Sequence, residues 1–289
     1  MSVRVFAPAK INLTLKVGPP RADGLHPLQS VVVFADAGDW VAAAPADALS
    51  LRVSGPFAQA LEGEDDNLVL RAARALAEAA GVAAPGATLS LEKHLPVASG
   101  IGGGSSDAAA ALKALNALWA LGLGEAQLAK IARGLGADVP VCVGARPAYM
   151  TGAGETFAPM RAPVLHAVLS NPQIPLPTPD VYRRFDAMGL GAPLAGETLP
   201  HWPEPDTAFA AIAAVGNDLT PAAAALAPAL AHMAAVLRDD ARVRVTGLSG
   251  SGATMFALVE DAAAAKTLAH DVSLAHPAWW VQACVLGAA

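Results

Sequence analysis

The stretch from Pro96 to Asp107 carries residue types that suit the binding of an anion. Its sequence, PVASGIGGGSSD, has three consecutive glycines followed by two serines, and a run rich in alanine and leucine comes next. Glycine lets the backbone approach a ligand closely, and the first amides of a helix lack an intrahelical acceptor and carry partial positive charge. The combination predicts a phosphate site; the alternative is a glycine-rich turn without a ligand.

Three common fingerprints are not matched. GIGGGSSD has no lysine after the last glycine, as a Walker A loop would. Gly100, Gly102 and Ser105 do not satisfy the G-x-G-x-x-G spacing of a dinucleotide fold. The later GLSGSGA does not fit the G-x-S-x-G nucleophile elbow of hydrolases. A different class of phosphate-binding loop is therefore expected.

Composition excludes several functions. The chain has 289 residues and a net charge of −6, which argues against a nucleic-acid surface. Cys142 and Cys284 lie far apart with no metal-ligand spacing, so we expect no cysteine metal site and a reducing, cytoplasmic location. The start, MSVRVFAPAK, lacks the apolar core of a signal peptide. Residues 219–237 hold no Asp, Glu, Lys or Arg, but Pro221 and Pro228 favour a buried helix or helix pair over a membrane span.

Strands and helices alternate irregularly around these residues. Alternating or β-branched runs predict strands, namely VRVFAPAKINLTLKV interrupted near Pro8, QSVVVFADAGDWVAAA, LSLRVSG, ATLSLEKHLPV, VLHAVLS, RVRVTGLSGSGATMFALVE as two strands around a glycine-rich turn, and WWVQACVLG. Helical patterns follow Asn67, Ser105 and Gly124, occur again in the alanine-rich region after residue 200, and begin once more at about Ala262. The proline-rich NPQIPLPTPDVYRRFD reads as a boundary or an ordered loop near a site. This order predicts an α+β protein in two lobes.

Several motifs together resemble the GHMP kinases. PVASGIGGGSSDAAA is similar to the ATP-binding loop of that family, PAKINLTLKV to its N-terminal motif and GLSGSGATMFAL to its C-terminal glycine-rich motif. RADGLHPLQS, GADVPVCV and NDL resemble further signatures of the members that phosphorylate the 2-hydroxyl of 4-diphosphocytidyl-2-C-methyl-D-erythritol in non-mevalonate isoprenoid biosynthesis. The resemblance covers essentially the whole chain.

The resemblance implies the roles of the site residues. Asp138 would act as base or orienting carboxylate and Lys10 as its cationic partner, the two meeting with Asn12 near the acceptor. Either Lys10 or Asp138 could dominate proton transfer. The implied ATP-binding residues are Asn67, Lys93, Pro96, Val97, Ala98, Ser99, Gly100, Ile101, Gly102, Gly103, Gly104, Ser105 and Ser106. Ser106 would also face Mg²⁺. On residue types alone, Asn67 could be a helix cap and Lys93 an exposed strand residue.

The resemblance also assigns the cytidine end of the substrate. His26 would read the base edge, and Tyr182, with Phe185 as substitute, would stack on the base. Leu25 stands where these enzymes usually carry Tyr or Phe, so we expect a weakened KM more than lost activity. Gly250, in the turn from Gly247 to Gly252, would bind the substrate's phosphates or support the first loop.

The implied fold has a ribosomal-S5-like lobe, residues 1–160, that binds ATP and a ferredoxin-like lobe, residues 161–289, on the substrate side. Expected ligands are ATP, Mg²⁺ and a small molecule bearing cytidine diphosphate, with no nucleic acid, membrane or obligate protein partner. Three alternatives stay open: a related kinase with a drifted acceptor, a catalytically silent nucleotide-binding regulator, and a membrane-associated protein. The presence of Lys10, Asn12, His26 and Asp138 argues against the regulator.

Overall fold

The computed structural model describes residues 2–63, 66–194, 196 and 198–287. The strands within them are β1 (Val3–Asn12), β2 (Lys16–Val17), β3 (Leu28–Ala44), β4 (Leu49–Ser54), β5 (Ala87–Glu92), β6 (Ala148–Thr151), β7 (Thr156–Pro159), β8 (Leu165–Asn171), β9 (Val243–Leu248), β10 (Met255–Val259) and β11 (Trp280–Leu286). The α-helices are α1 (Leu68–Ala80), α2 (Gly103–Leu118), α3 (Glu125–Ala132), α4 (Val139–Gly144), α5 (Thr178–Ala187), α6 (Pro205–Val215), α7 (Thr220–Leu226), α8 (Ala229–Arg238) and α9 (Ala262–Ala275).

The chain forms two compact units from interleaved segments. The first unit contains residues 1–9, 38–97 and 102–145, and the second contains residues 10–37, 98–101 and 146–289. The long strands β1 and β3 each contribute residues to both units, which is why neither unit is one continuous piece of chain. The assignment of ATP to residues 1–160 and of substrate to residues 161–289 stays a prediction.

In the first unit, a small sheet is covered by helices. Strand β4 runs parallel to β5, and β5 pairs antiparallel with the Trp40–Ala44 end of β3. Helix α1 begins where the side chain of Asn67 accepts the amide of Val69, and it ends at Gly81 in a left-handed conformation. Helix α2 buries Leu112 and Leu115 completely, each stabilising the fold by about 1.5–3 kcal/mol.

In the second unit, an antiparallel sheet has the strand order β3, β11, β8, β10, β9. Leu286 pairs with Ala35 to join β11 to β3, and β10 lies between β8 and β9. Helices α5, α7, α8 and α9 bury apolar side chains in the same core, among them Phe185, Met233 and Leu268. The two strands predicted around the glycine-rich turn are confirmed as β9 and β10.

The predicted interruption near Pro8 is wrong. Strand β1 continues through Pro8 to Asn12 because proline removes an amide donor but does not prevent extended backbone. The break comes at residues 13–15, where side chains replace the regular ladder: the Thr14 hydroxyl accepts the amide of Val31, and the Ser30 hydroxyl donates to the Thr14 carbonyl.

The uncharged run of residues 219–237 forms a helix pair, as predicted. Helices α7 and α8 are separated at Ala227 and Pro228. In the part of the chain that the structure describes, no helix combines the length and apolar character needed to cross a membrane.

Candidate active site

The first part of the glycine-rich loop, Ala98–Ile101, belongs to the second unit. Its backbone is left-handed at Ala98 and Gly100, with φ of 51° and 75°. A Cβ at Gly100 would lie 2.4 Å from the carbonyl oxygen of Ser249, so only glycine fits this conformation and this contact. The carbonyl of Ser99 accepts the amide of Thr254, and the carbonyl of Ile101 accepts the amide of Lys10. The loop is therefore fixed by backbone hydrogen bonds on both sides.

The second part of the loop, Gly102–Ser106, belongs to the first unit together with Pro96, which is buried, and Val97, which is exposed. Helix α2 begins here without a side-chain cap, and its first intrahelical hydrogen bond runs from the Ser106 amide to the Gly102 carbonyl. The amides of Gly103, Gly104 and Ser105 therefore have no acceptor within the helix, which is the arrangement that binds an anion.

Ser106 is the residue predicted to face Mg²⁺. Its side chain is buried, and its hydroxyl donates to the carbonyl of Pro8 at 2.6 Å. Because the proton is engaged, the lone pairs of Oγ are available as acceptors or as a metal ligand. Among the described residues there is no group of three or more His, Cys, Asp and Glu side chains that could hold a metal ion.

Lys10 and Asn12 lie at the end of β1 in the second unit, and both are buried. The Asn12 amide donates to the Ser249 hydroxyl at 3.0 Å, and Asn12 Nδ2 donates to the Ser30 hydroxyl at 2.7 Å. A Cβ at Gly250 would come within 3.4 Å of Asn12 Oδ1 and 2.8 Å of the Gly100 carbonyl oxygen. The structure thus brings Lys10, Asn12, Gly250 and the first part of the loop together.

Asp138 lies in the first unit, at the residue before α4, and its side chain is partly buried. A residue at this position usually caps the helix, but the Asp138 carboxylate makes no capping hydrogen bond to the α4 amides. Pro140 in the first turn of α4 also removes one of those amides. The alternative of a simple capping aspartate is therefore not supported, and the meeting of Asp138 with Lys10 stays a prediction.

His26 has a fixed ring in the second unit. Its Nδ1 lies 2.9 Å from the Gly18 carbonyl, which can only accept, so Nδ1 carries the proton. Its Nε2 lies 3.4 Å from Asp186 Oδ1, and the ring of Tyr182 is tilted beside it with centroids 5.0 Å apart. The structure therefore brings His26 and Tyr182 together, as predicted from the resemblance. Leu25, next to them in the chain, is 52% exposed.

Phe185 is excluded as a substitute for Tyr182. Its side chain is fully buried in the core of the second unit and meets the His26 ring edge-on at 6.0 Å. A ring at that depth stabilises the fold and orients His26, and it cannot also present a face to a ligand.

Asn67 and Lys93, the two residues implied for adenine, have structural partners in the first unit. Asn67 Oδ1 accepts the Val69 amide at 2.9 Å, so the alternative of a helix cap is confirmed. Lys93 follows β5 and is buried, so the alternative of an exposed strand residue is wrong. Its ammonium contacts the carboxylates of Asp39 and Asp107. The ATP-binding role of both residues stays a prediction.

Burial dominates the electrostatics of that cluster. Desolvation raises the pKa of Asp107 to about 7, and the negative charge of Asp39 adds to this although the Lys93 ammonium opposes it. Asp39 Oδ1 accepts two backbone amides, from His94 and Leu95, whereas Asp107 Oδ1 is buried without a hydrogen-bond partner. The two attractions outweigh desolvation at Lys93 and raise its pKa. Near neutral pH, the shared proton therefore resides on Asp107.

Sequence reasoning missed three positioning residues. Asp39 was read only as part of a strand, and Ser249 only as part of a turn. Asn217, noted within the short NDL signature without a role, donates from Nδ2 to the carbonyls of Leu248 and Gly250. The available signal was their position beside glycine-rich segments, but their partners are distant in sequence.

Comparison with known proteins decides the family. Residues 67–146 match the family model described as GHMP kinases N terminal domain. The chain is 49% identical over 279 residues to a 4-diphosphocytidyl-2-C-methyl-D-erythritol kinase of Cereibacter sphaeroides, covering 96% of each chain. This chain belongs to the GHMP kinase family.

Solved structures of GHMP kinases have the same fold. A crystal structure of a 4-(cytidine 5'-diphospho)-2C-methyl-D-erythritol kinase matches with a TM-score of 0.80 and 34% identity, over 99% of this chain and 100% of that one. A homoserine kinase from Cytophaga hutchinsonii matches with a TM-score of 0.71 at 18% identity, over 98% of this chain and 94% of that one, and so shares the fold alone. The predicted α+β fold of a GHMP kinase is confirmed, and the chain is a kinase.

Proposed function

We propose that this kinase transfers the γ-phosphoryl group of ATP to the 2-hydroxyl of 4-diphosphocytidyl-2-C-methyl-D-erythritol. The observation that carries the proposal is the 49% identity to a kinase of that name across 96% of both chains. The buried pairing of His26 with Tyr182, inside the RADGLHPLQS motif and α5, adds a site suited to a cytosine ring.

Phosphoryl transfer depends mainly on positioning and on electrostatic stabilisation of the transferred group. We assign the phosphates of ATP to the unpaired first amides of α2, at Gly103, Gly104 and Ser105. Pro96 to Ile101 would form the rest of that loop. Asn67 and Lys93 would lie near the adenine end.

Lys10 and Asp138 supply the acid–base chemistry in this proposal. The Asp138 carboxylate, which is not used as a helix cap, would accept the proton of the acceptor hydroxyl as its oxygen attacks the γ-phosphorus. The Lys10 ammonium would stabilise the negative charge that develops on the acceptor oxygen and the moving phosphoryl group. Asn12 would orient the acceptor, with Gly250 close to the same place.

Mg²⁺ is assigned here as the companion of ATP. Magnesium is commonly held through substrate phosphates and water with few protein ligands. The buried Ser106 hydroxyl, with its proton donated to Pro8, fits a single oxygen ligand of that kind. Bound there, the ion would neutralise phosphate charge.

The cytidine end would be read by His26. Because Nδ1 donates to Gly18, neutral His26 presents an acceptor at Nε2, which suits the exocyclic amine of cytosine. Tyr182 would stack on one face of the base, and Leu25, half-exposed, would give the other face an aliphatic contact. A small molecule with a cytidine diphosphate group is therefore the proposed acceptor class.

The test is release of ADP by the purified protein with ATP, Mg²⁺ and the cytidyl-methylerythritol substrate. Replacement of Asp138 by alanine should lower kcat about 10²–10⁴-fold, the usual contribution of a general base. Asp180→Ala, an exposed aspartate in the first turn of α5, is the matched control and should retain turnover. Absence of wild-type turnover, with ATP still bound in calorimetry, would reject the acceptor.

Leu25 gives a second test of the acceptor. Leu25→Tyr should lower KM for the cytidyl substrate, because stacking on a base is worth about 1–3 kcal/mol relative to alanine and leucine retains only part of it. KM for ATP should stay the same. An unchanged KM for the cytidyl substrate would show that Leu25 does not contact the base.

A further inference from the structure

The first unit contains a buried charge cluster made of Asp39, Lys93 and Asp107. Lys93 Nζ lies 2.5 Å from Asp39 Oδ2 and 2.7 Å from Asp107 Oδ2. The three side chains are 0%, 3% and 4% exposed for Asp39, Lys93 and Asp107. Such complete burial separates the cluster from the surface ion pairs elsewhere in the unit, such as Arg4 with Glu92.

The cluster joins three elements where the chain leaves the sheet for the glycine-rich loop. Asp39 is in β3, Lys93 follows the end of β5, and Asp107 lies in α2 soon after its start. Asp39 also accepts the amides of His94 and Leu95 at 2.5 and 2.8 Å, so it fixes the backbone that leads into the loop.

The Lys93 ammonium lies directly against the first residue of α2. A Cβ placed on Gly103 would be only 3.1 Å from Lys93 Nζ. Gly103 is the first helical residue, and its amide is one of those assigned to the phosphates. Any movement of Lys93 would therefore shift the amides at the start of α2.

Stability alone does not explain the cluster. Desolvating charges costs several kcal/mol per ion, and buried ion pairs often contribute no more than well-packed apolar side chains. A buried cluster of fixed geometry does define the relative position of the elements that it joins. Here those elements are the sheet and the first turn of α2.

We propose that Lys93 is a positioning residue, which acts through Asp39 and Asp107 to hold the first turn of α2 in the geometry that binds ATP phosphates. This inference rests on the proposed ATP site and replaces direct contact between the Lys93 ammonium and the nucleotide. Both carboxylates already occupy the ammonium, and the cluster is closed to solvent.

The test compares Lys93→Met, Asp107→Asn and the double variant by kcat/KM for ATP. Lys93→Met leaves two carboxylates without their cation and should lower kcat/KM on the order of 10²-fold, as for a misplaced site. Adding Asp107→Asn removes one uncompensated charge, so the double variant should recover activity relative to Lys93→Met. A double variant no better than Lys93→Met would overturn the proposal, because a direct ATP contact could not be rescued from Asp107.

Asp107→Asn alone decides the question if Lys93→Met does not fold. Loosening the start of α2 should raise KM for ATP several-fold with a smaller change in kcat. If Lys93 instead contacted the nucleotide itself, releasing it from Asp107 would leave KM for ATP unchanged or lower it. That result would overturn the proposal.

Calorimetry of ATP binding in the absence of acceptor separates this inference from the proposed acceptor. The weakening of ATP binding by Asp107→Asn should appear whether or not the cytidyl substrate is turned over. Lys130→Met, an exposed lysine on α3 in the same unit, is the matched control and should bind ATP like the wild type. Weakening by Lys130→Met equal to that by Asp107→Asn would contradict a specific role for the cluster.

Discussion

The two glycine-rich segments have similar composition but different partners. The loop of residues 98–106 continues into α2 and leaves the first amides of that helix without an intrahelical acceptor. The turn from Gly247 to Gly252 joins two strands, and its own groups are bonded: the Ser249 amide donates to the Thr254 carbonyl, and Asn217 holds the Leu248 and Gly250 carbonyls. The element that comes after a glycine run, helix or strand, therefore decides whether its amides can serve a ligand.

The second turn supports the first loop. The Ser249 hydroxyl donates to the Gly100 carbonyl at 2.9 Å while accepting the Asn12 amide. The sequence left two roles open for this turn, binding of substrate phosphates and support of the loop. The observed contacts favour support, and a substrate contact of Gly250 stays a prediction.

The largest expected effect comes from Gly100→Ala. The new Cβ would lie 2.4 Å from the Ser249 carbonyl oxygen and 2.6 Å from that of Gly252, at a φ of 75°. Strain of about 1–3 kcal/mol from the backbone alone, with the clash added, should separate loop from turn and abolish measurable ATP binding. Gly104→Ala, with no neighbour within 4 Å, should keep the wild-type unfolding free energy. Equal stability of the two variants in urea would break the comparison.

A smaller loss is expected for Ser249→Ala. The variant leaves the buried Asn12 amide and Gly100 carbonyl without this partner, at a cost of about 1–3 kcal/mol in unfolding free energy. Ser251→Ala, which loses one hydroxyl bond to Thr178, should cost less. Steady-state kinetics sharpen the comparison: a supporting turn predicts a raised KM for ATP, whereas a turn that binds the acceptor predicts a raised KM for the cytidyl substrate.

The smallest effect is a pH dependence confined to the support of the first loop. Because burial raises the pKa of Asp107 to about 7 in the folded protein, the native state binds this proton more tightly than the unfolded chain. The unfolding free energy should therefore fall as pH rises between the ordinary aspartate pKa near 4 and about 7, by about 1.4 kcal/mol per pKa unit as an upper bound.

Asp107→Asn should remove this slope, and urea denaturation at pH 5 and pH 7.5 would measure it. Ser249→Ala should lower stability equally at both pH values, because Ser249, Asn217 and Thr254 are neutral. An Asp107→Asn variant that kept the wild-type slope would assign the proton to another group.

Local patterns in the sequence predicted most of the elements. The cap at Asn67, the stop at Gly81 and the strands around Gly247–Gly252 are properties of short segments, and the structure contains them as predicted. The motifs also predicted which residues to examine, including the pairing of His26 with Tyr182. The continuity of β1 through Pro8 was missed because strand pairing with a distant segment outweighs one lost amide donor.

The sequence by itself determined the family, the anion-binding loop and the residue types of the site. Only the tertiary structure decided what holds that site in place. Lys93 meets Asp39 across 54 residues, and the Asn12 amide meets Ser249 across 237. Such contacts depend on which strands pair and which helix covers them, so residues read as an exposed lysine and a turn serine became the buried supports of the loop.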